Sequence, residues 1–226
     1  MNDDAPINPY ATPNMPQKTT NHGGIPKKTI KPDRSDGLKS ILSTIAILLM
    51  APILALMITA YVFQSYEVDG PSMETTLQDK DRLIVWKMGH TLSKISKKPY
   101  IPDRGAIIVF TKKGMYDFSG GKEKQLIKRV IALPGERVSI HDGAVTVFND
   151  QNPEGFNPDI TLGIKSQLSG PTEGEFYEEV EEGEVYVMGD HRNNSLDSRA
   201  FGPIPSEDIV GTLSARILPL SAINKF

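Results

Sequence analysis

The sequence contains no cysteine, and this absence excludes several kinds of chemistry at once. Without thiols the chain cannot act as a cysteine protease or a thiol oxidoreductase, and it cannot hold disulfides or a cysteine-ligated zinc ion. Positive charge is also in short supply, because residues 64–226 carry 19 Lys/Arg against 24 Asp/Glu, a net charge of -5. A net-acidic region with no basic stripe argues against nucleic acid as the partner. The length of 226 residues still allows a sizeable core, so an enzyme remains possible.

One long stretch of the chain lacks charge altogether, since no charged residue occurs from Ser40 to Tyr66. Its apolar centre, residues 41–63, would span about 34 Å as a helix, against a hydrocarbon core of about 30 Å. A cleaved secretory signal is the alternative. The apolar part of such a signal has about 7 to 15 residues and follows a short leader, whereas 40 residues precede this stretch. We therefore expect a retained transmembrane helix.

The charges that flank this helix predict its orientation. The basic residues on its N-terminal side are Lys27, Lys28, Lys31, Arg34 and Lys39, whereas Glu67 and Asp69 follow it. Because basic residues concentrate on the cytoplasmic side of a span, we expect a single-pass protein of the cell membrane with its N-terminus in the cytoplasm. Residues 1–40 are rich in polar residues and proline and lack periodic apolar positions, which predicts a disordered tail.

The region from residue 64 to 226 consists of short apolar runs separated by turn sequences such as Pro134-Gly135 and Asp142-Gly143. The runs are Arg82–Trp86, Ala106–Thr111, Leu126–Leu133, Arg137–Ile140, Ala144–Phe148, Glu184–Met188 and Ile209–Ile217. No stretch keeps a helical apolar period over three turns, so the pattern predicts a mainly β fold, an antiparallel β-sheet domain outside the membrane. An insertion at about 149–182 is poor in apolar periodicity and predicts a long loop or a small subdomain.

Three groups of polar residues lie beside the apolar runs. Ser72 stands in a turn directly after the apolar stretch, where an ordinary turn hydroxyl is the alternative to a nucleophile. Lys128 shares one strand face with Leu126 and Val130, where a charge that protects an edge strand from aggregation is the alternative. Residues 189–199 are crowded with polar side chains. Two arginines interleaved with aspartates favour an ordered, ion-paired loop over a solvated one.

Four segments in this order resemble bacterial type I signal peptidase. They are Gly70–Met73, Asp81–Val85, Lys128–Glu136 and Gly189–Gly202, and they follow a membrane span that ends a few residues before the serine. The resemblance covers most of residues 64–217. It implies a membrane-anchored serine endopeptidase that removes signal peptides from exported preproteins at the outer face of the cytoplasmic membrane, with no metal or cofactor.

By this resemblance Ser72 is the nucleophile and Lys128 is the general base of a Ser/Lys dyad. Ser195 would orient the lysine amine, and Asp197 and Arg199 would form a salt bridge that shapes the site. The chemistry of the residues agrees with these roles. A serine hydroxyl is a weak nucleophile until a neighbour takes its proton, and a lysine can take it only when neutral. Burial among apolar neighbours disfavours the ammonium form and would lower the lysine pKa.

A histidine-based mechanism is the rival. His22 lies in the tail, His90 in a basic loop and His141 in a hairpin turn, so none of these three fits a site beside Ser72. His191 lies in the polar loop, where the family usually has Asn.

Substrate specificity follows from the same resemblance. An extended substrate that pairs as an added strand places the residues one and three before the cut on the same wall, and in the family both are small. The corresponding wall would consist of Tyr66, Val68, Leu126 and Ile127. A nearby surface either touches the membrane or packs as ordinary core, and its residues are Trp86, Met88, Tyr100 and Ile101.

The sequence departs from the family pattern at several positions. Thr75 replaces the usual proline three residues after the serine, and Gly105-Ala106 replaces the usual Gly-Asp. Gly70 stands where some members carry a hydroxyl residue that supplies a second oxyanion donor. The backbone amide of Ser72 is then the one donor that can be named.

Two other classes of protein remain open. A soluble Ser/Lys self-cleaving repressor or polymerase subunit shares the dyad but would lack the apolar span. A membrane-tethered, non-enzymatic β domain could bind peptides with an inactive site, although the presence of both Ser72 and Lys128 argues against it. The expected partners are signal peptides of secreted preproteins and membrane lipid, and the expected oligomeric state is a monomer.

Overall fold

The computed structural model of the chain describes residues 34–116, 121 and 123–226. The predicted tail therefore lies outside the described residues up to residue 33, and residues 34–40 form the start of a helix. The helices are α1 (Arg34–Tyr61), α2 (Met88–Ser96), α3 (Pro158–Thr161) and α4 (Ser198–Phe201), with 3-10 turns at Lys165–Gln167, Ser206–Asp208 and Leu220–Ala222.

The strands are β1 (Phe63–Glu67), β2 (Arg82–Trp86), β3 (Ile107–Tyr116), β4 (Glu123–Ala132), β5 (Arg137–His141), β6 (Ala144–Asn149), β7 (Asn152–Phe156), β8 (Phe176–Glu179), β9 (Glu184–Met188), β10 (Ile204–Pro205), β11 (Ile209–Leu218) and β12 (Asn224–Lys225). Each of the seven predicted runs is a strand, with shifts of a few residues at several ends. The mainly antiparallel β fold is confirmed.

Helix α1 matches the predicted apolar stretch. Among the described residues it alone is long and apolar enough to cross a membrane, over Lys39–Tyr61 with a mean hydropathy of 2.6. Pro52 lies inside it, which membrane helices tolerate. An N-terminal helix of this length and composition indicates membrane anchoring.

The strands form two antiparallel sheets in the described part of the chain. The larger has eight strands in the order β1-β2-β11-β3-β4-β9-β10, with β12 paired to β11. The smaller has four strands in the order β7-β6-β5-β8, and two of them, β7 and β8, lie within the predicted insertion. Its apolar face packs on the ends of β4 and β9 in a core cluster that includes Val138, Val145, Ile131 and Tyr186.

Helix α2 was not predicted from the pattern of apolar residues. It has nine residues, which is too short to produce an apolar period over three turns. The predicted basic loop around His90 is therefore wrong, because His90 lies inside this helix. Gly89 lets the helix pack closely, since a Cβ there would lie 2.3 Å from the ring of Tyr100.

Candidate active site

Buried side chains of the hydrophobic core hold the turn that carries Ser72 in place. Met73 and Leu77 are fully buried in a cluster with Val68 and Leu83, and the amide of Leu77 donates to the carbonyl of Met73 at 2.9 Å. Anchoring by two large apolar side chains holds the backbone of the turn in place. The Ser72 side chain therefore starts from a fixed position at the edge of a cleft.

Strand β4 brings Lys128 to this turn. Residues 123–127 of the strand are exposed or half-buried, whereas residues 128–132 are all buried. The change occurs because β9 pairs with β4 only from Arg129 onward. Lys128 Nζ lies 2.6 Å from Ser72 Oγ and donates a second hydrogen bond of 2.9 Å to the carbonyl of Ile127.

The amine of Lys128 sits in an environment that favours its neutral form. Lys128 is only 2% exposed. Burial lowers the pKa of Lys128 to about 8, and the positive charge of Lys124 acts in the same direction. The carboxylates of Asp197 and Asp190 act in the opposite direction and raise the pKa. Burial outweighs them, as the sequence analysis required of a lysine base.

Asp197 is held away from the lysine by its own partners. Its carboxyl accepts hydrogen bonds of 2.9 Å from Nε and a terminal nitrogen of Arg199, and one of 3.0 Å from the amide of Gly189. Burial alone would raise the pKa of Asp197, but the hydrogen bonds and charge of Arg199 bring the pKa below its ordinary value. The predicted Asp197–Arg199 salt bridge is thus present in the structure.

Ser195 packs directly against Gly189. A Cβ on Gly189 would lie 2.2 Å from Ser195 Oγ and 2.4 Å from the Ser72 carbonyl, so this position needs glycine. The hydroxyl of Ser195 is buried near the Asp197 carboxyl and lowers its pKa, yet no described atom meets it at hydrogen-bonding geometry. Its predicted contact with the amine of Lys128 is not formed in this structure.

The sequence predicts an ordered, ion-paired loop at residues 189–199. It does not predict two of the residues outside the loop that pair with it, Arg129 and Asp159. Asp190 pairs with Arg129, at 2.9 and 2.6 Å, and Arg129 also donates to the carbonyl of Gly105 at 2.8 Å. Arg192 is fully buried and binds both carboxyl oxygens of Asp159 at 2.6 and 2.7 Å. Asp159 belongs to the insertion, so the insertion braces the loop that carries Ser195.

These partners could not be found from spacing along the chain. Arg129 follows Lys128 in β4 and points to the opposite face of the strand. The polar loop alone suggested that its arginines and aspartates pair with one another, and only the Asp197–Arg199 pair does so. The one available signal was that a buried arginine requires a carboxylate somewhere in the fold.

A cleft of about 790 Å³ opens beside the Ser72–Lys128 pair. All four residues of the predicted substrate wall line it, namely Tyr66, Val68, Leu126 and Ile127. Leu83, Val109 and Gln125 also line the cleft and were not predicted as part of the substrate wall. The phenol oxygen of Tyr66 is buried in this wall, and burial raises the pKa of Tyr66, with the Gln125 amide opposing it.

His191 is placed beside the turn rather than at the serine hydroxyl. Its Nδ1 lies 3.2 Å from the carbonyl of Pro71 and 3.4 Å from a carboxyl oxygen of Glu74. Its backbone amide donates to the carbonyl of Ser72 at 3.1 Å. The hydroxyl of Ser72 pairs with Lys128 instead, which favours lysine over histidine as the base.

The residues that depart from the family pattern have partners of their own. The hydroxyl of Thr75 donates to the carbonyl of Gln167 in the insertion. The amide of Gly70 donates to Asp79 Oδ1 at 2.9 Å, so it is not available as an oxyanion donor. Among the described residues no cluster of three or more His, Asp or Glu side chains could hold a metal ion.

The residues expected either to touch the membrane or to pack as core differ in their burial. Tyr100 and Ile101 pack against a buried cluster that includes Phe110, and the Tyr100 hydroxyl lies 2.8 Å from Thr212 Oγ1. Trp86 remains 40% exposed, with its ring edge-on to Phe63 at 4.7 Å. Core packing therefore describes the first two residues, and the exposed tryptophan stays on the surface.

Comparisons with known proteins agree on one family. Residues 41–218 match the family described as signal peptidase, peptidase S26. The chain is 35% identical over 182 residues to a "Probable signal peptidase I-1" of Synechocystis sp., covering 80% of this chain and 84% of that protein. It is 35% identical over 170 residues to "Signal peptidase I V" of Bacillus subtilis, covering 72% of this chain and 90% of that protein. The crystal structure of a signal peptidase I from Enterococcus faecalis is 28% identical with a TM-score of 0.37, covering 50% of this chain and 97% of that one.

Proposed function

The chain belongs to the signal peptidase family, peptidase S26, and from this premise we propose that Ser72 and Lys128 are its catalytic dyad. A member of this family is a serine endopeptidase that removes signal peptides from preproteins. The observation that carries the assignment of the two residues is the 2.6 Å contact between Lys128 Nζ and Ser72 Oγ at the edge of the cleft.

The proposed reaction begins with a neutral lysine. With a pKa of about 8, roughly a tenth of the Lys128 side chains are neutral at pH 7. The neutral amine takes the proton of Ser72 as the serine oxygen attacks the scissile carbonyl, and the resulting ammonium gives that proton to the leaving amine. A water activated by the same lysine then releases the acyl group. The amide of Ser72 is the proposed oxyanion donor.

Asp197, Arg199 and Ser195 act as supports in this proposal. The Arg199 guanidinium occupies the Asp197 carboxylate, which limits how far that carboxylate stabilises the lysine ammonium. Ser195 Oγ and the Ser72 carbonyl both lie against Gly189, which keeps the serine hydroxyl close to the turn. We propose that its hydroxyl turns toward the lysine amine once Ser72 is acylated and no longer accepts from that amine.

The substrate is proposed to bind as an added strand. Residues 123–128 of β4 pair with β3 on one side, whereas β9 reaches only residues 129–132 on the other. This leaves a free strand edge that leads to Ser72, as strand addition requires. The side chains one and three before the cut would then lie about 7 Å apart on one wall. Val68 and Tyr66, two residues apart on the chain, match that spacing.

The remaining proposals concern location and partners. We propose three regions, namely a cytoplasmic tail of residues 1–40, a membrane span of residues 41–63 and an extracytoplasmic domain of residues 64–226 with an insertion at about 149–182. The protein would act as a monomer at the outer face of the cell membrane, on signal peptides and in contact with lipid but not nucleic acid. The basic residues on the N-terminal side of the apolar span support this orientation.

The test uses the full chain purified in detergent and a preprotein with Ala-X-Ala before the cut. We expect cleavage after the second alanine, read by N-terminal sequencing of the product. The Ser72→Ala variant should lose at least about a thousandfold in rate, whereas the control Ser139→Ala, in the smaller sheet, keeps the normal rate. Cleavage by a folded Ser72→Ala variant at the normal rate would refute the proposal.

A further inference from the structure

A second, smaller cavity lies away from the active-site cleft, next to α2. Its volume is about 310 Å³, within the usual range of small-ligand pockets. Its lining includes His90, Ser93, Lys94, Lys97, Lys98 and Glu207. The proposed peptidase reaction uses none of these residues.

The charge of this cavity is strongly one-sided. Residues 83–102 contain four lysines and no acidic residue, and in the described part of the chain Lys94, Lys97 and Lys98 form no ion pair. The acidic lining residue, Glu207, is paired with Lys113 at 2.9 Å, and Lys113 also pairs with Asp208 at 2.7 Å, so the three unpaired lysines outnumber the one excess carboxylate. The cavity therefore presents uncompensated positive charge.

The pKa values of His90, in the cavity lining, and of Lys87, at the start of α2, agree with this excess of positive charge. Burial and the charges of Lys94 and Lys87 lower the pKa of His90, and burial together with Lys94 lowers the pKa of Lys87. The Nδ1 atom of His90 is buried and has no hydrogen-bond partner among the described residues. An anion in the cavity would relieve the repulsion between these cations and could accept charge-assisted hydrogen bonds from the lysine amines that line it.

The position of α2 relates the cavity to the membrane. The amide of Lys87 donates to the carbonyl of Val62 and its amine to the carbonyl of Ala60, both at 2.8 Å. The hydroxyl of Thr91 donates to the carbonyl of Tyr61 at 2.9 Å. These three carbonyls lie at the end of the apolar span, so the start of α2 is fixed where a spanning helix leaves the hydrocarbon core.

The exposed side of α2 has the composition of a helix that lies in the membrane interface. Leu92 is 53% exposed and Ile95 is 76% exposed, three residues apart and so on one face of the helix. Lysines stand on either side of Ile95, at positions 94, 97 and 98. Apolar residues on one face with lysines beside them are typical of helices that bind anionic lipid surfaces.

We propose that this cavity binds the phosphate headgroup of an anionic phospholipid, while Leu92 and Ile95 enter the adjoining acyl region. The inference rests on the membrane anchoring in the proposed function and adds a lipid site to it. A bound headgroup would hold the domain against the bilayer surface.

The experiment measures lipid retention by native mass spectrometry on the full chain released from detergent micelles. The probes are dioleoylphosphatidylglycerol, dioleoylphosphatidylcholine and inorganic phosphate. We expect the phosphatidylglycerol to be retained more tightly than the phosphatidylcholine. The variant Lys94→Gln/Lys97→Gln/Lys98→Gln should lose on the order of a hundredfold in affinity for the anionic lipid.

The control variant removes the same charge elsewhere, as Lys80→Gln/Lys165→Gln/Lys225→Gln. It removes the same number of positive charges as the test variant, and Lys80 has a left-handed backbone like that of Lys97, with φ of 69° and 57°. Equal losses in the two variants, or equal retention of the two lipids, would overturn the proposal. Inorganic phosphate that displaces the lipid at equal concentration would overturn the assignment to a lipid.

Cleavage of a soluble Ala-X-Ala peptide is measured on the same preparations. The Lys94→Gln/Lys97→Gln/Lys98→Gln variant should cleave it at the normal rate, because its substitutions lie outside the cleft. Selective lipid retention without peptide cleavage by the normal chain would refute the proposed dyad and leave the lipid site standing. Cleavage without selective retention would refute the lipid site alone.

Discussion

At Lys128, burial and nearby carboxylates act on the same amine in opposite directions. Burial lowers its pKa to about 8, while Asp197 and Asp190 raise it and Lys124 lowers it. The neutral form predominates above this pKa, so the rate of the proposed proton transfer from Ser72 should increase as the pH rises through it. The position of the acid limb of activity therefore reports the environment of one side chain.

The first prediction follows from the contribution of Lys124. Activity of the normal chain should rise with pH around a midpoint near 8, the folded pKa of Lys128. Lys124→Glu replaces a repelling charge with an attracting one, so the midpoint should move to higher pH by up to about one unit. Lys225→Glu, on the short strand β12, is the control and should leave the midpoint near its normal value. Equal midpoints in the Lys124→Glu variant and the normal chain would exclude Lys128 as the titrating group.

A second prediction concerns stability. The folded pKa of Lys128 lies below the value of 10.5 for a free lysine, so the unfolded chain binds the proton more tightly than the folded one. The resulting destabilisation is fully present below pH 8, decreases as pH rises from 8 to 10.5 and is absent above that range. Lys128→Met should therefore remove activity and raise the free energy of unfolding at pH 7 by about 1 to 3 kcal/mol. Chemical denaturation at pH 7 and pH 10.5 tests this, and a variant that is less stable at pH 7 would contradict it.

Among the elements, β4 and the loop at 189–199 show what the sequence can predict and where it stops. Alternation along β4 predicts an inward Lys128, because strand geometry is local. The partner of Arg192 is 33 residues away and the partner of Arg129 is 61 residues away. The Arg129–Asp190 pair depends on β4 lying beside β9, and the Arg192–Asp159 pair depends on where α3 of the insertion folds. No local pattern encodes either contact.

The third prediction tests whether the insertion supports the loop. Asp159→Ala leaves the fully buried guanidinium of Arg192 without its carboxylate, which should cost about 3 to 5 kcal/mol of unfolding free energy and reduce cleavage. Asp159→Leu combined with Arg192→Met should recover most of the stability, since an apolar pair replaces the buried charges. Asp150→Ala, exposed in the same region, is the control for denaturation. A loss below about 1 kcal/mol in Asp159→Ala would show that the insertion does not support the loop.

At the scale of the whole molecule, the sequence predicted an apolar helix followed by a β domain because both depend on patterns that run through many residues. The strand at Glu184–Met188 begins and ends where expected, and α1 contains most of the predicted span. Short edge strands such as β10 and β12 have two residues each and leave no pattern. Helix α2 was missed because its apolar residues face outward rather than into a core.

The fourth prediction concerns topology. The proposed orientation has the N-terminus in the cytoplasm, so protease added outside intact spheroplasts should digest the chain beyond Phe63 and spare an epitope on the first 40 residues. After lysis both parts should be digested. Protection of the large domain in intact spheroplasts would reverse the proposed orientation.

The most direct test of the dyad is a double-mutant cycle on single-turnover cleavage. We predict that Ser72→Ala and Lys128→Ala each remove nearly all activity, and that the double variant is little slower than either single one, because the two groups act as one unit. Losses that multiply in the double variant would mean that the two residues act independently, and the assignment of Ser72 and Lys128 as a dyad would then be wrong.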